Sequence, residues 1–442
     1  MIDMYKMSFS NLKLFVYYSV LLCSIFLISF IISNFDDISY RVLHSVTRMG
    51  ATVDIYYTWL LGLFCFLVLT LIVSLFNNKD YLKLWLIKAF ITLIFMLIYE
   101  YKYGLDSYMY YANAVYSEGM DIFGYAATDR VIIFTRILSD FVGDSYYSIK
   151  LIYSFIGFLG LILFYKSYLY VMKNNQVESH MQRQFMYMLF LLPSILFWSS
   201  TLGKDSLTLF IVGLFVFNFI KLIDSYKLTN IVFLLVAMYL AYLVRPWFLI
   251  IFTMTIFFFY LNFKSRKQII FSIVLSPILY YMVWEFLASR SVHSVDKIFE
   301  TIYISASNMS EGGSAIEVND ISTLVGYIYY YIPNIFTSIF RPMFYDVTNV
   351  FTLLNAVENI ILLYLVITYI LLRPLEIWNN KYLKALILFI LTWSLIYVII
   401  SPTNLGIAVR FKLQVLPVIL IIIFISRSII FKEEKHIKCT KQ

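Results

Sequence analysis

Three groups of side chains in this sequence have the types and spacing for chemistry. The first is Gly104-Leu105-Asp106-Ser107-Tyr108-Met109-Tyr110-Tyr111. A carboxylate such as Asp106 can accept a proton from a sugar hydroxyl, and Tyr108 and Tyr111 can stack on sugar faces. The plainer alternative is a solvated acid beside an interfacial aromatic belt, where tyrosine is enriched in any case. Asp36-Asp37 is a rival acid pair, with a solvated helix end as its alternative.

The second group is the stretch Leu192-Pro193-Ser194-Ile195-Leu196-Phe197-Trp198-Ser199-Ser200-Thr201-Leu202-Gly203-Lys204-Asp205-Ser206. Hydroxyls, including that of Ser200, and Gly203 lead into an apolar helix with Lys204 at its start. Helix N–H groups, the positive helix end and an ammonium together suit a phosphate. It is not a nucleotide-binding P-loop, which would need a glycine where Trp198 stands. The alternative is a tight hairpin with a snorkelling lysine paired to Asp205.

The third group is a set of arginines: Arg245-Pro246-Trp247, Arg341-Pro342, and Arg410 within Asn404-Leu405-Gly406-Ile407-Ala408-Val409-Arg410-Phe411-Lys412. Arginine recognises phosphate in a planar, bidentate way and does not deprotonate. Three arginines and Lys204 on one side of a membrane suggest an anion site; separate salt bridges to Glu285, Asp346 or Glu358 are the alternative. Two weaker features fall in 289–349: a flexible tip at Glu311-Gly312-Gly313-Ser314 and the run Tyr327, Tyr329, Tyr330, Tyr331, which suits sugar stacking or interface anchoring. Cys23, Cys65 and Cys439, and the scattered His44, His180, His293 and His436, have no ligand spacing, so no disulfide, metal site or cofactor is expected.

These residues need elements to hold them, and the composition says which. The chain has 442 residues, 62% hydrophobic and 14% charged, with a mean hydropathy of +0.82. A soluble domain is about 25% charged, so the expected class is an all-α polytopic membrane protein. The net charge of +8 is weak evidence for nucleic acid, because in a membrane protein the placement of basic residues matters more than their sum. No nucleic-acid partner is expected.

A spanning helix needs about 20 mostly apolar residues. Twelve such runs are read, near 13–33, 55–76, 82–99, 146–172, 184–200, 204–223, 228–244, 246–263, 268–288, 350–372, 383–400 and 411–431. The first reads as a full span rather than a cleaved leader. With both termini cytoplasmic, the inner segments hold 20 of the 34 basic residues and 7 of the 26 acidic ones, as the positive-inside rule requires. Residues 1–442 form a single integral membrane domain. The outer segments 34–54, 100–145 and 289–349 are long and the inner loops short, which places the work on the outer side. The stretch 324–340 contains Pro333 and reads as an interfacial helix.

At this point the chain resembles a family. A multipass protein of this size, rich in Ile, Phe and Tyr, resembles the bacterial O-antigen and exopolysaccharide repeat-unit polymerases. Gly104-x-Asp106-Ser107-Tyr108-x-Tyr110-Tyr111 resembles an outer-loop motif of exopolysaccharide polymerase-like glycosyltransferases. The Pro193-Ser194…Phe197-Trp198-Ser199-Ser200…Lys204-Asp205 stretch and the Gly406…Arg410-Phe411-Lys412…Pro417 ending look like motifs of lipid-linked-sugar transferases of the C-type superfold.

The resemblance implies a donor glycan on undecaprenyl diphosphate, a lipid-linked acceptor unit, and an outward-facing site in a bacterial cytoplasmic membrane. Asp106 would orient or deprotonate the acceptor hydroxyl; Lys204, Arg245, Arg341 and Arg410 would stabilise the departing diphosphate. Ser200, Tyr108, Tyr111 and Trp198 would line the substrate. The lipid carries the leaving group, so no nucleotide is implied. A chain-length regulator and a flippase would be its protein partners. Two other readings stay open: a transferase using a sugar on a polyprenyl phosphate, and a lipid-linked oligosaccharide flippase.

Overall fold

The computed structural model describes residues 55–103, 105–116, 127–173, 179–261, 324–372 and 378–440, with fragments between 273 and 307. Every regular element among them is a helix. In order, α1 is Ile55–Ser74, α2 Lys79–Phe90, α3 Met96–Tyr103, α4 Asp106–Tyr116, α5 Ala127–Val142, α6 Tyr146–Met172 and α7 Ser179–Leu191. Then come α8 Pro193–Trp198, α9 Lys204–Asp224, α10 Leu228–Val244, α11 Trp247–Tyr260 and α12 Leu324–Phe340. The last four are α13 Val350–Val366, α14 Lys381–Ile400, α15 Leu405–Lys412 and α16 Leu416–Thr440. A π-helical turn, Ile91–Phe95, joins α2 to α3, and a second, Ile367–Leu371, extends α13.

Six helices are long and apolar enough to cross a membrane by length and composition, as a polytopic membrane protein requires. They are Tyr57–Ser74, Lys79–Glu100, Tyr146–Met172, Lys204–Asp224, Val350–Leu371 and Lys381–Val398. A seventh arises if Leu405–Lys412 and Leu416–Ile430, bent by 56°, count as one. Six or seven of the twelve expected spans thus appear among the described residues. The runs 13–33 and most of 268–288 lie outside those residues. The run 184–200 is broken at Leu192, where Pro193 starts α8 as a separate helix. The runs 228–244 and 246–263 form helices of 17 and 14 residues, split at Arg245-Pro246. Proline supplies no N–H and so suits a first helical position.

Local signals set the other ends. Asn78, Asn349, Asn380 and Asn404 each cap a helix by accepting from backbone N–H groups two and three residues on, which satisfies donors the helix leaves open. Much of the expected outer segment 100–145 is helical, as α4 and α5. The interfacial stretch 324–340 is the single helix α12, with Tyr330, Ile339 and Phe340 buried and Val325, Tyr329 and Ile332 exposed.

The bundle is centred on α6 and α9. Their approach depends on glycine: a Cβ at Gly160 would lie 2.8 Å from the Phe210 backbone, and one at Gly213 2.8 Å from the Gly160 carbonyl. Small residues let membrane helices pack backbone to backbone. On α1, by contrast, Leu60, Phe64, Leu67 and Leu71 are exposed. A row of apolar side chains facing outward suits hydrocarbon rather than water.

Candidate active site

The hairpin from α8 to α9 is the base of the site. Thr201 donates to the Trp198 carbonyl at 2.9 Å, and Ser206 to the Thr201 carbonyl at 2.8 Å. From α2, the buried Lys88 amine donates to the Ser199 carbonyl at 2.9 Å and to the Ser200 hydroxyl at 3.2 Å. Ser200 in turn donates to the Leu196 carbonyl at 2.6 Å. Its hydroxyl is fully buried and committed to the hairpin, so the expected substrate contact from Ser200 has no open group. Gly203 turns the chain into α9 at φ +157°, a region that residues with a Cβ rarely adopt.

Asp205, in the first turn of α9, is the hub. Arg245, at the end of α10, donates from Nη2 to Asp205 Oδ1 at 2.6 Å. Arg410, in the last turn of α15, donates from Nε to Asp205 Oδ2. The other Arg410 branch, Nη1, reaches Asp106 Oδ2 at the start of α4, at 2.7 Å. Lys204 donates to Thr128 at 2.8 Å and feels the charges of Arg245, Arg410, Asp205 and Asp106. Three cations and two carboxylates from four helices therefore meet, with a formal charge of +1 by residue type. Carboxylates at helix N-termini are also favoured by the helix dipole, which suits both Asp106 and Asp205.

Exposure divides the cluster. Asp205 and Arg245 are buried, whereas the Arg410 side chain is 25% exposed and that of Asp106 55%. Arg245 has no branch to spare: Nε donates to Thr208 at 3.1 Å and Nη1 to the Tyr397 hydroxyl at 3.5 Å. Trp247 also donates to Tyr397, at 2.6 Å. Arg245 thus acts on Asp205, and the cluster presents Asp106 and Arg410 outward. Ser107 donates to the Leu202 carbonyl at 2.9 Å, tying α4 to the hairpin.

The aromatic residues are placed differently from the sequence reading. Tyr111 is fully buried and donates to the Asp144 carbonyl. Tyr108 is half-buried, 5.9 Å from the Tyr146 ring. Tyr111 has no free face for a sugar. Tyr110, part of the motif but given no role of its own there, lies beside Gly203 and the cluster. Burial pushes its hydroxyl up to about 12, with Arg410 opposing, so it stays protonated. Trp198 keeps its expected proximity: the Arg410 guanidinium sits 5.8 Å over its ring.

Arg341 does not join the cluster. It pairs with Asp346 through two branches, at 3.0 and 2.5 Å. That salt bridge is one of the alternatives raised above; another, Glu358, is taken by Lys412. The rival pair Asp36-Asp37, the tip Glu311–Ser314 and the side chain of Tyr327 lie outside the described residues. Among the described residues, no group of three His, Cys, Asp or Glu side chains is placed to hold a metal. The bulk of the hub, Asp205 with Thr208 and Tyr397, carried only a weak sequence signal: an acid in the first turn of an otherwise apolar helix. Comparison with known proteins gives no match to any family model, curated protein or solved structure.

Proposed function

We propose that the chain is a membrane glycosyltransferase that joins lipid-linked oligosaccharide repeat units, as O-antigen and exopolysaccharide polymerases do. One observation carries the reading: Asp106, Lys204, Arg245 and Arg410, far apart in sequence, meet around Asp205. An exposed carboxylate beside a half-open guanidinium is what a glycosyl transfer with an anionic leaving group needs.

The acceptor hydroxyl attacks the anomeric carbon of the donor. The bond from that carbon to the diphosphate oxygen breaks, and the electron pair leaves with the diphosphate. Asp106 takes the hydroxyl proton. Arg410 and Lys204 meet the charge that develops on the leaving oxygen. When Arg410 turns to the diphosphate, it releases the Asp106 carboxylate for the acceptor. Arg245 is a positioning residue: it holds Asp205, which holds Arg410. The site faces the outer side of a bacterial cytoplasmic membrane in this reading.

The test is deletion of the gene, read on a glycan gel, with complementation by wild type and by Asp106→Asn. The expected result is loss of the ladder with a single repeat unit retained, restored by wild type and not by the variant. Loss of the single unit as well indicates the flippase or single-sugar transferase. An unchanged ladder overturns the proposal.

A further inference from the structure

A second feature adjoins the cluster at Trp198. A cavity of about 810 Å³ lies between the α2–α3 span, the α8 hairpin, α13 and α15. Its volume falls in the range of sites that hold drug-sized ligands, about 300–1,000 Å³. Trp198 lines it, while the Arg410 guanidinium sits 5.8 Å from the same ring. Phe95, Tyr99, Phe197 and Phe351 line it too and pack edge to face, with Tyr99 4.7 Å from Phe197 and 5.1 Å from Phe351. Both ends of the π turn, Ile91 and Phe95, also face it. Such turns occur often at functional sites.

The far end is polar. Arg341, Asp346 and Asn349 line it. Asp346 takes the Nε and Nη2 branches of Arg341. Among the described residues, Arg341 Nη1 has no hydrogen-bond partner. The rear wall is fixed by a buried network. Glu358 accepts from the Ser194 backbone N–H at 2.8 Å and from its hydroxyl, Lys412 donates to Glu358 at 3.3 Å, and Asn359 donates to the Pro342 carbonyl at 2.8 Å. The side is open: Leu354 and Tyr345, both lining, are 46% and 75% exposed. Leu354 belongs to the apolar span Val350–Leu371, so this mouth includes span surface that suits a lipid chain.

We propose that this cavity is a second lipid-phosphate site, separate from the Asp205 cluster, with Arg341 as its anion ligand. Its occupant is the phosphate end of a polyprenyl-linked substrate: the chain lies against the aromatic wall, the phosphate on Arg341. The inference rests on the glycosyltransferase reading and extends it. Joining two lipid-linked units requires two lipid phosphates at once, and Arg341 stands outside the Asp205 cluster in a cavity that Trp198 also lines.

The test is native mass spectrometry of the full chain in detergent, with undecaprenyl phosphate as probe and phosphatidylglycerol as competitor. Wild type is expected to carry two undecaprenyl phosphates. Arg341→Gln and Arg410→Gln should each carry one, and the double variant none. Leu354→Trp, which fills the cavity mouth without touching a charge, should weaken one of the two sites at least tenfold and serves if Arg341→Gln folds poorly. One adduct on wild type, lost in either arginine variant, overturns the second site. Displacement of one adduct by phosphatidylglycerol at equal concentration overturns the occupant. Failure of undecaprenyl phosphate to bind at all, with phosphatidylglycerol bound, overturns the glycosyltransferase reading with it.

Discussion

Arg410 holds Asp106 at 2.7 Å although 304 positions separate them in the chain. The contact joins the start of an early helix to the end of a late one, and it passes over Asp205. Asp106 is mostly exposed and the Arg410 side chain is partly open, while its Nε stays on the buried Asp205. A pair of this kind can exchange partners at little cost, because surface ion pairs contribute about 0–1 kcal/mol. The Asp205–Arg245 pair beneath it cannot.

Asp205→Asn tests that difference. Removing one member of a buried ion pair leaves an uncompensated charge and costs about 3–5 kcal/mol. The expected outcome is a lower melting temperature in detergent together with loss of polymer. Arg245→Lys should behave similarly, because lysine lacks the fork that spans Asp205, Thr208 and Tyr397. Wild-type melting in both variants would refute the hub.

Gly203→Ala tests the turn. An added Cβ would meet only the Tyr110 ring, at 3.5 Å, which is ordinary contact. The penalty is therefore backbone strain at φ +157°, about 1–3 kcal/mol. Thermal unfolding should report it, and Lys204 and Asp205 should shift with the turn, so activity falls too. An unchanged melting point would mean that the turn relaxes freely.

The Arg341–Asp346 pair gives a pH signature. Burial pushes the Asp346 carboxyl up, but the Arg341 hydrogen bond, the Met343 N–H and the Arg341 charge together hold it below the ordinary carboxylate range. A depressed folded value means that the pair stabilises fully above the unfolded value, about 3.9. That contribution is lost as pH falls through the folded value. Unfolding curves taken from pH 6 to pH 2 should show wild type losing more stability below about pH 4 than Asp346→Asn. Parallel curves would remove Asp346 as the source.

The spans that sequence alone placed well are those whose apolar runs are uninterrupted. The reading 146–172 matches Tyr146–Met172, and 204–223 matches Lys204–Asp224 within a residue. Hydropathy failed where a proline starts a new helix inside an apolar run, as at Pro193; at Arg245-Pro246 the break is read where the helices end, and the two runs form helices of 17 and 14 residues. The cations were legible because lysine and arginine stand out against the charge bias. Their convergence was not, because Arg245 and Arg410 meet only through Asp205, and that depends on how α9, α10 and α15 pack. Sequence suggested Asp205 as a partner for Lys204; packing gave it to the two arginines instead.

The π turn at Ile91–Phe95 has a further consequence for register. Each α-helical residue advances about 100°, so twelve steps from Lys88 to Glu100 would leave their side chains about 120° apart in an unbroken helix. Absorbing one extra residue in the wide turn reduces the offset to about 20°. Both residues are buried, Lys88 against the Ser199 turn and Glu100 2.7 Å from Lys150. The bulge thus works as a tolerated insertion: the span gains a residue, and both of its buried titratable side chains still face the protein rather than the lipid.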